Sequence, residues 1–378
     1  MKLLFASDSF KGSLTSEKTI ELLRKAAGEV FGECETEGVV AADGGEGTVE
    51  AVVSAQKGEI ISVRVHGPRM EELTACYGIV DENKAVIEMA EASGLVLIPE
   101  EKRNPLYTTT YGTGELILDA LEKGFRDIAI AIGGSATNDG GMGCARALGI
   151  RFLDKDGALL EGFGRELERV AAIDMSGLDK RIHEARITVM CDVQNPLCGK
   201  DGATYTFGQQ KGATPEIQEQ LENGMCNYRD VIRSTFGIDC DQVKGAGAAG
   251  GLGAALKVFL HGEMKSGIET VLDLIHFNER LDGVDLVVTG EGRTDWQSCF
   301  GKVMQGVGMR AKERGVPVLG LSGSLGPGAM DICGYGVSSL MTAVNAPMSL
   351  SEALERAEEL YYDAAVRMFR FVRTGMGL

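Results

Sequence analysis

The chain is short of rigid residues and of positive charge. Only 8 prolines and 1 tryptophan occur in 378 residues, and 38 lysines and arginines face 55 aspartates and glutamates. The formal net charge of −17 repels phosphate backbones, and no segment gathers cations into a compensating patch, which argues against a nucleic-acid partner. Nine cysteines are scattered, odd in number and without a CxxC pair. That spacing suits neither a disulfide framework nor a zinc motif, and fits reduced thiols in the cytoplasm. The opening apolar run stops at Asp8, too short for a signal peptide or a membrane span. Low-complexity tracts and internal repeats are lacking too. With 44% hydrophobic residues, the length suggests two globular domains with ample core. Glycine alone is in excess, at 52. It marks tight turns, or loops where backbone approaches a ligand.

Short apolar runs alternate with helical patterns, the signature of an α/β sheet with crossover helices. Strands are expected at 3–6, 39–42, 127–132, 186–193, 286–289 and 316–321. Residues 61–65, 74–80 and 85–89 are shorter runs that suit antiparallel strands, with a domain boundary nearby. Thr214-Pro215 opens a helix to about Ser234, and Ser349-Leu-Ser-Glu352 reads as a capping box opening one long helix to about Arg373.

Five strand-exit loops carry the polar chemistry. Asp8, Ser9 and Lys11 share the first; taken alone, a capping turn with a solvated lysine is the favoured reading. Asp43, Glu46 and Thr48 flank two glycines in the second, where backbone N–H groups at a helix start suit an anion and the carboxylates suit a metal or hydroxyl. The third, Gly133, Gly134, Ser135, Ala136, Thr137, Asn138, Asp139 and Gly140, has the means to cradle phosphate oxygens. Asp192 ends a strand in the fourth, as a base, a Mg²⁺ ligand or an Asx turn. Glu291, Arg293 and Asp295 crowd the fifth, where Arg293 suits a carboxylate or a transferring phosphoryl group.

Other signals weigh less. Gly245-Ala-Gly-Ala-Ala-Gly250 matches a dinucleotide fingerprint but lacks the strand that should precede it. The same glycines suit a helix opening against a neighbour. No P-loop, protein-kinase or GxSxG motif occurs, and the four histidines show no ligand spacing.

The segments SDSFKGSL, ADGGEGT, VIEMAEASGL, GTGELI, IGGSATNDGGMG, CDVQNPLCG, FGQQKGAT, GAGAAGGLGAAL and TGEGRTD span nearly the whole chain. In that order they resemble the bacterial glycerate kinase family, of the type that phosphorylates the 2-hydroxyl. The resemblance implies ATP, Mg²⁺ and D-glycerate, with 2-phosphoglycerate as product. It also implies two α/β domains, one with a Rossmann- or flavodoxin-like parallel sheet and one smaller and mixed, with the active site between them. Approximate spans are 1–60 with 280–378 for a discontinuous domain, and 61–279 for the second. Alternative outcomes are 3-phosphoglycerate as product, another small sugar acid as acceptor, an NAD-dependent 2-hydroxyacid dehydrogenase, or a non-catalytic sugar-acid sensor.

Under this resemblance, Asp192 leads as base or hydroxyl-orienting group, with Asp295 competing; one of them, or Glu291, binds metal. Lys11 and Arg293 hold the glycerate carboxylate or the phosphoryl group. Gly133 to Gly140 hold nucleotide phosphates, and Asp8, Ser9, Asp43, Glu46 and Thr48 hold substrate. Two unit charges about 4 Å apart interact by roughly 4 kcal/mol at an effective dielectric near 20, so an acidic protein needs these local cations and the metal. Trp296 and Met304 depart from the family pattern, where a small residue and a proline are usual. An indole beside Asp295 either narrows the acceptor pocket or stacks on a neighbour.

Overall fold

The computed structural model describes residues 1–10, 12–81 and 83–377. The chain divides into two compact units, Met1–Asp43 with Gly267–Leu378, and Gly44–Ser266. Both cuts lie upstream of the expected positions, 60/61 and 279/280. The helix Thr48–Gln56 belongs with the second unit because Val49 and Val53 lie against Gly78, where a Cβ would come within 2.5 Å of Val53. The helix Gly267–Leu274 belongs with the first because Ile268 fills the space beside Gly306 and Arg310 Nε donates to Glu269 at 2.9 Å.

In the first unit five parallel strands lie in the order Val337–Thr342, Val318–Ser322, Leu286–Thr289, Lys2–Ser7, Glu35–Val40. Counted along this unit the order is 2-1-3-4-5, the flavodoxin-like arrangement. The side of the sheet on which successive strands are added therefore switches between Lys2–Ser7 and Leu286–Thr289, which pair directly in parallel. Such a switch point leaves a crevice beyond the carboxyl ends of the two strands.

Helix Ser16–Phe31 returns from the first strand. Thr15 caps it by accepting from Lys18 N–H at 3.2 Å, and Gly32 ends it at φ 71°. Its apolar stripe, including Leu23 and Ala27, packs with Tyr361, Ala365 and Phe369 of Ala357–Gly375 over the buried Leu3 and Phe5. Rings Phe31 and Phe369 meet edge-on at 5.6 Å. The C-terminal helix is not continuous, against expectation. Leu350–Glu355 and Ala357–Gly375 are separated at Arg356 (φ −103°, ψ 17°), and Glu352 pairs with Arg356 at 3.2 Å.

The second unit is the larger, so the mixed domain is not the smaller one as expected. Its six-stranded sheet runs Glu263–Lys265, Arg186–Met190, Asp127–Ala131, Lys84–Glu88, Glu72–Val80, Glu59–His66. The first four strands are parallel and the last two form an antiparallel hairpin. The long helix Pro215–Phe236 begins on a Thr214 cap with Pro215 at its first position and ends on Gly237 at φ 70°. Among the described residues, no helix is long and apolar enough to cross a membrane.

Candidate active site

In the first unit, a pocket of about 510 Å³ is lined by residues that follow the two switch-point strands. Asp8, Ser9, Asp43, Glu291, Arg293 and Lys302 supply its polar wall; Phe10, Leu14, Leu350, Leu354 and Tyr361 contribute an apolar one. Asp8 N–H donates to Gly290 O at 3.0 Å, which ties the first loop to the fifth. Asp8 Oδ1 accepts from Ser9 N–H at 2.7 Å. Gly290 must be glycine here, since a Cβ would sit 2.0 Å from Leu321 O.

Glu291 is buried, and burial pushes its carboxyl above the usual carboxylate range. Opposing that, Thr294 Oγ1 donates to Oε1 at 3.1 Å, Ser298 Oγ donates to the same oxygen, and the Lys302 ammonium lies 3.7 Å from Oε2. Arg293 reaches outward, with Nε 3.6 Å from Asp295 Oδ2. Asp295 does not line the pocket. Its Oδ1 accepts from Gln297 N–H at 2.9 Å and caps the short helix Trp296–Cys299, so its geometry suits holding Arg293 more directly than meeting a substrate. Trp296 stacks edge-on against Phe300 at 5.9 Å and is exposed, while Met304 is buried with its sulfur 3.2 Å from Thr294 Oγ1. Of the two roles expected for the indole, the stack on a neighbour is the one observed. Lys11 lies outside the described residues.

In the second unit, three adjacent parallel strands present Glu88, the loop from Gly133 and Asp192 at their carboxyl ends. Asp192 is exposed, and Ser266 Oγ donates to its Oδ1 at 3.0 Å. Glu46 is exposed, and the loop carrying it abuts the other: a Cβ on Gly133 would meet Gly45 Cα at 3.2 Å.

Most of the glycine-rich loop faces inward, against expectation. Gly133 and Gly134 are exposed, but Thr137, Asn138 and Asp139 are fully buried and Gly140 is buried. Asp139 accepts from Thr110 N–H and Oγ1, both at 2.8 Å, and from the N–H groups of Gly141 and Gly143, both at 3.1 Å. Gly140 N–H goes to Gly250 O at 2.9 Å, and Asn138 Nδ2 to Thr204 Oγ1 at 3.1 Å. Burial and these internal bonds turn Asn138 Nδ2, Asp139 and Gly140 N–H away from a phosphate, a scaffold geometry; Thr137 Oγ1 and Asn138 Oδ1 are buried there without a hydrogen-bond partner. The GAGAAG segment packs on this loop: a Cβ on Gly250 would lie 2.0 Å from Thr137 O. Its glycines serve close backbone packing, not a dinucleotide turn.

Thr48 is likewise buried, with Oγ1 donating to Gly45 O at 2.7 Å, which removes it from a substrate-facing role. The anion at this helix start is the protein's own. Glu88 accepts from Val49 N–H at 2.7 Å and Gly47 N–H at 3.3 Å. Burial pushes its carboxyl up to about 7, against the pull of those two donors.

Two structural groups escaped the sequence reading. Glu88 is one. Lys211 is the other: buried beneath the loop, its ammonium donates to Ser135 Oγ at 2.8 Å and Thr137 O at 2.6 Å. Burial lowers it to about 7, opposed by the charge of Asp139. Both lie in segments singled out above, VIEMAEASGL and FGQQKGAT, but apolar or amide neighbours hid them.

A family model described as "Glycerate kinase family" matches residues 3–373. The chain is 44% identical to "Glycerate 2-kinase" of Escherichia coli K12 over 379 residues, covering 100% of this chain and 98% of the relative. It is 43% identical to "Glycerate kinase" of Bacillus cereus, covering 95% and 94%. A solved chain from Salmonella typhimurium LT2, described as a candidate glycerate kinase 2, superposes with a TM-score of 0.89 at 43% identity and full coverage of both. The switch-point crevice and acidic-basic loops are those of an α/β enzyme. The chain belongs to the glycerate kinase family.

Proposed function

We propose that this protein transfers the γ-phosphoryl group of ATP to the 2-hydroxyl of D-glycerate in the cytoplasm, giving 2-phosphoglycerate. The observation that carries this reading is the end-to-end identity of 44% with a glycerate 2-kinase. The first-unit pocket supports it, because it pairs two cationic side chains with a small polar wall. Arg293 offers a planar fork to a carboxylate or phosphoryl group, and Lys302 adds a point charge on the same wall.

The pocket's carboxylates fit magnesium, which takes hard oxygen ligands and rejects none of those present. Asp8 or Asp43 would hold it together with substrate phosphates: among the described residues no three pocket carboxylates lie within one ion's reach, and Glu291 is taken up by Thr294, Ser298 and Lys302. When bound, the ion neutralises phosphate charge; positioning and such neutralisation supply most of the catalysis in phosphoryl transfer. Asp295 fixes the Arg293 fork. In the second unit, Asp192 orients and deprotonates the acceptor hydroxyl, Gly133 and Gly134 offer exposed backbone to phosphate oxygens, and Glu46 contacts a substrate hydroxyl.

The test is purified chain with D-glycerate, ATP and Mg²⁺, followed by phosphorus NMR. A secondary phosphate ester coupled to one proton is expected. A primary ester would reassign the position to the 3-hydroxyl, and absence of ATP turnover would overturn the reading.

A further inference from the structure

Away from these loops, the second unit holds a cluster of soft and hard metal donors. Cys198, Glu222 and Cys226 each place one donor atom within 4.8 Å of the others, the one such group among the described residues. Glu222 and Cys226 are four residues apart on the helix Pro215–Phe236, so they share one face. Cys198 comes from the loop that leaves the strand Arg186–Met190.

One buried feature of the cluster lacks a partner. Glu222 is 7% exposed, and its Oε2 has no hydrogen-bond partner. Its Oε1 accepts from Gly199 N–H at 2.5 Å and from Cys226 Sγ at 3.7 Å. A buried carboxylate oxygen left unpaired is costly, and a cation is the partner that would relieve it. Asp241 does not compete for that role: it accepts from Cys198 N–H and from Arg229 Nη1, both at 2.9 Å.

We propose that Cys198, Glu222 and Cys226 form a binding site for a thiophilic divalent cation of the zinc class. Two thiolates and a carboxylate match zinc, with bonds of about 2.3 Å to sulfur and about 2.0–2.2 Å to oxygen. Tetrahedral donors are then roughly 3.8 Å apart, so a contraction of about 1 Å at most closes the set. Three protein ligands leave the fourth position to water. Binding displaces both thiol protons to solvent and forms two metal–sulfur bonds and one metal–oxygen bond, with no change of oxidation state. The cation would fasten the Asp192 loop to the long helix. The spacing rule applied to the sequence looked for CxxC pairs; here one ligand pair is Glu-x-x-x-Cys and the third ligand is remote in sequence.

The experiment titrates the full chain, reduced and stripped with chelator, with Cd²⁺, and reads the sulfur-to-cadmium charge-transfer band in the ultraviolet. Expected are a band saturating at one equivalent, its collapse on adding Zn²⁺, its persistence in excess Mg²⁺, and its loss in Cys226→Ser. Zn²⁺ should raise the melting temperature of the parent chain but not of that variant. If Cys226→Ser does not fold, Glu222→Gln, which can still accept from Gly199 N–H, should bind Cd²⁺ more weakly than the parent. No band, an equal band in Cys226→Ser, parental affinity in Glu222→Gln, or a reduced protein that forms a Cys198–Cys226 disulfide without ever taking up metal would overturn the proposal.

Discussion

The pocket loops of the first unit and the glycine-rich loop of the second share one design: an apolar parallel strand, then glycines among Asp, Ser, Thr and Asn, then a helix. Their fates differ. Around Asp8 and Glu291 the polar groups line an open crevice, with Arg293 exposed. Around Thr137 to Gly140 they turn inward: Asp139 meets Thr110, Asn138 Nδ2 meets Thr204 and Thr137 O meets Lys211, while Thr137 Oγ1 and Asn138 Oδ1 are buried without a partner. The lesson is that polar richness at a strand exit marks either a site or a scaffold. What separates the two is whether the polar groups open onto a pocket or are closed into the interior.

The most severe way to probe this comparison is at the exposed acid of the second unit. Asp192→Asn should lower kcat by about 10²- to 10⁴-fold, the range typical of a general base. Stability should move by no more than about 0.5 kcal/mol, because the residue is exposed. Steady-state kinetics and urea melts on one preparation check both; near-normal turnover would remove Asp192 from the mechanism.

The buried counterpart should behave in the opposite way. Asp139→Ala strips the acceptor from four donors and leaves Lys211 without its nearby negative charge. A loss of about 3–5 kcal/mol is expected in urea unfolding. A fully stable Asp139→Ala with poor ATP binding would return that loop to the active site.

Arg293→Lys should cost about 10- to 100-fold in kcat/KM, since an ammonium cannot reproduce the guanidinium fork. The exposed position predicts an unchanged melt.

The mildest effects are pH dependences of the scaffold. Glu88 sits at about 7 in the folded chain against an ordinary 4.5. The native state therefore keeps a proton that the unfolded chain releases, and its stabilising share is full below about 4.5 and is lost as pH rises through 7. Lys211, lowered from 10.5 to about 7, has the opposite slope: the unfolded chain binds the extra proton, so stability rises from about 7 towards 10.5. Urea midpoints across pH should show Glu88→Gln flattening the acidic limb and Lys211→Met flattening the alkaline one.

Much of this was legible in the residues. Thr214-Pro215 marks the start of the long helix, whose end at Phe236 lies two residues beyond the expected Ser234, and each expected strand exit carries its polar loop. Those features are local: a cap, a proline, a period. The inward turn of Thr137 to Gly140 is not local, because it depends on Gly250 arriving within hydrogen-bond reach from more than a hundred residues away. The same holds for Glu88 meeting Gly47 and Val49. The break at Arg356 escaped because helical periodicity runs straight through it. Lys302 joins Glu291 in the pocket from eleven residues further along the chain, a pairing that only the folded loop brings about.

The contrast between crevice and scaffold is tested most directly by backbone hydrogen exchange with and without ATP, Mg²⁺ and D-glycerate. Residues 8–10 and 290–293 should gain protection on adding ligands, while 137–140 should already be protected and stay unchanged. New protection at 137–140, with none around Asp8 and Glu291, would contradict the account.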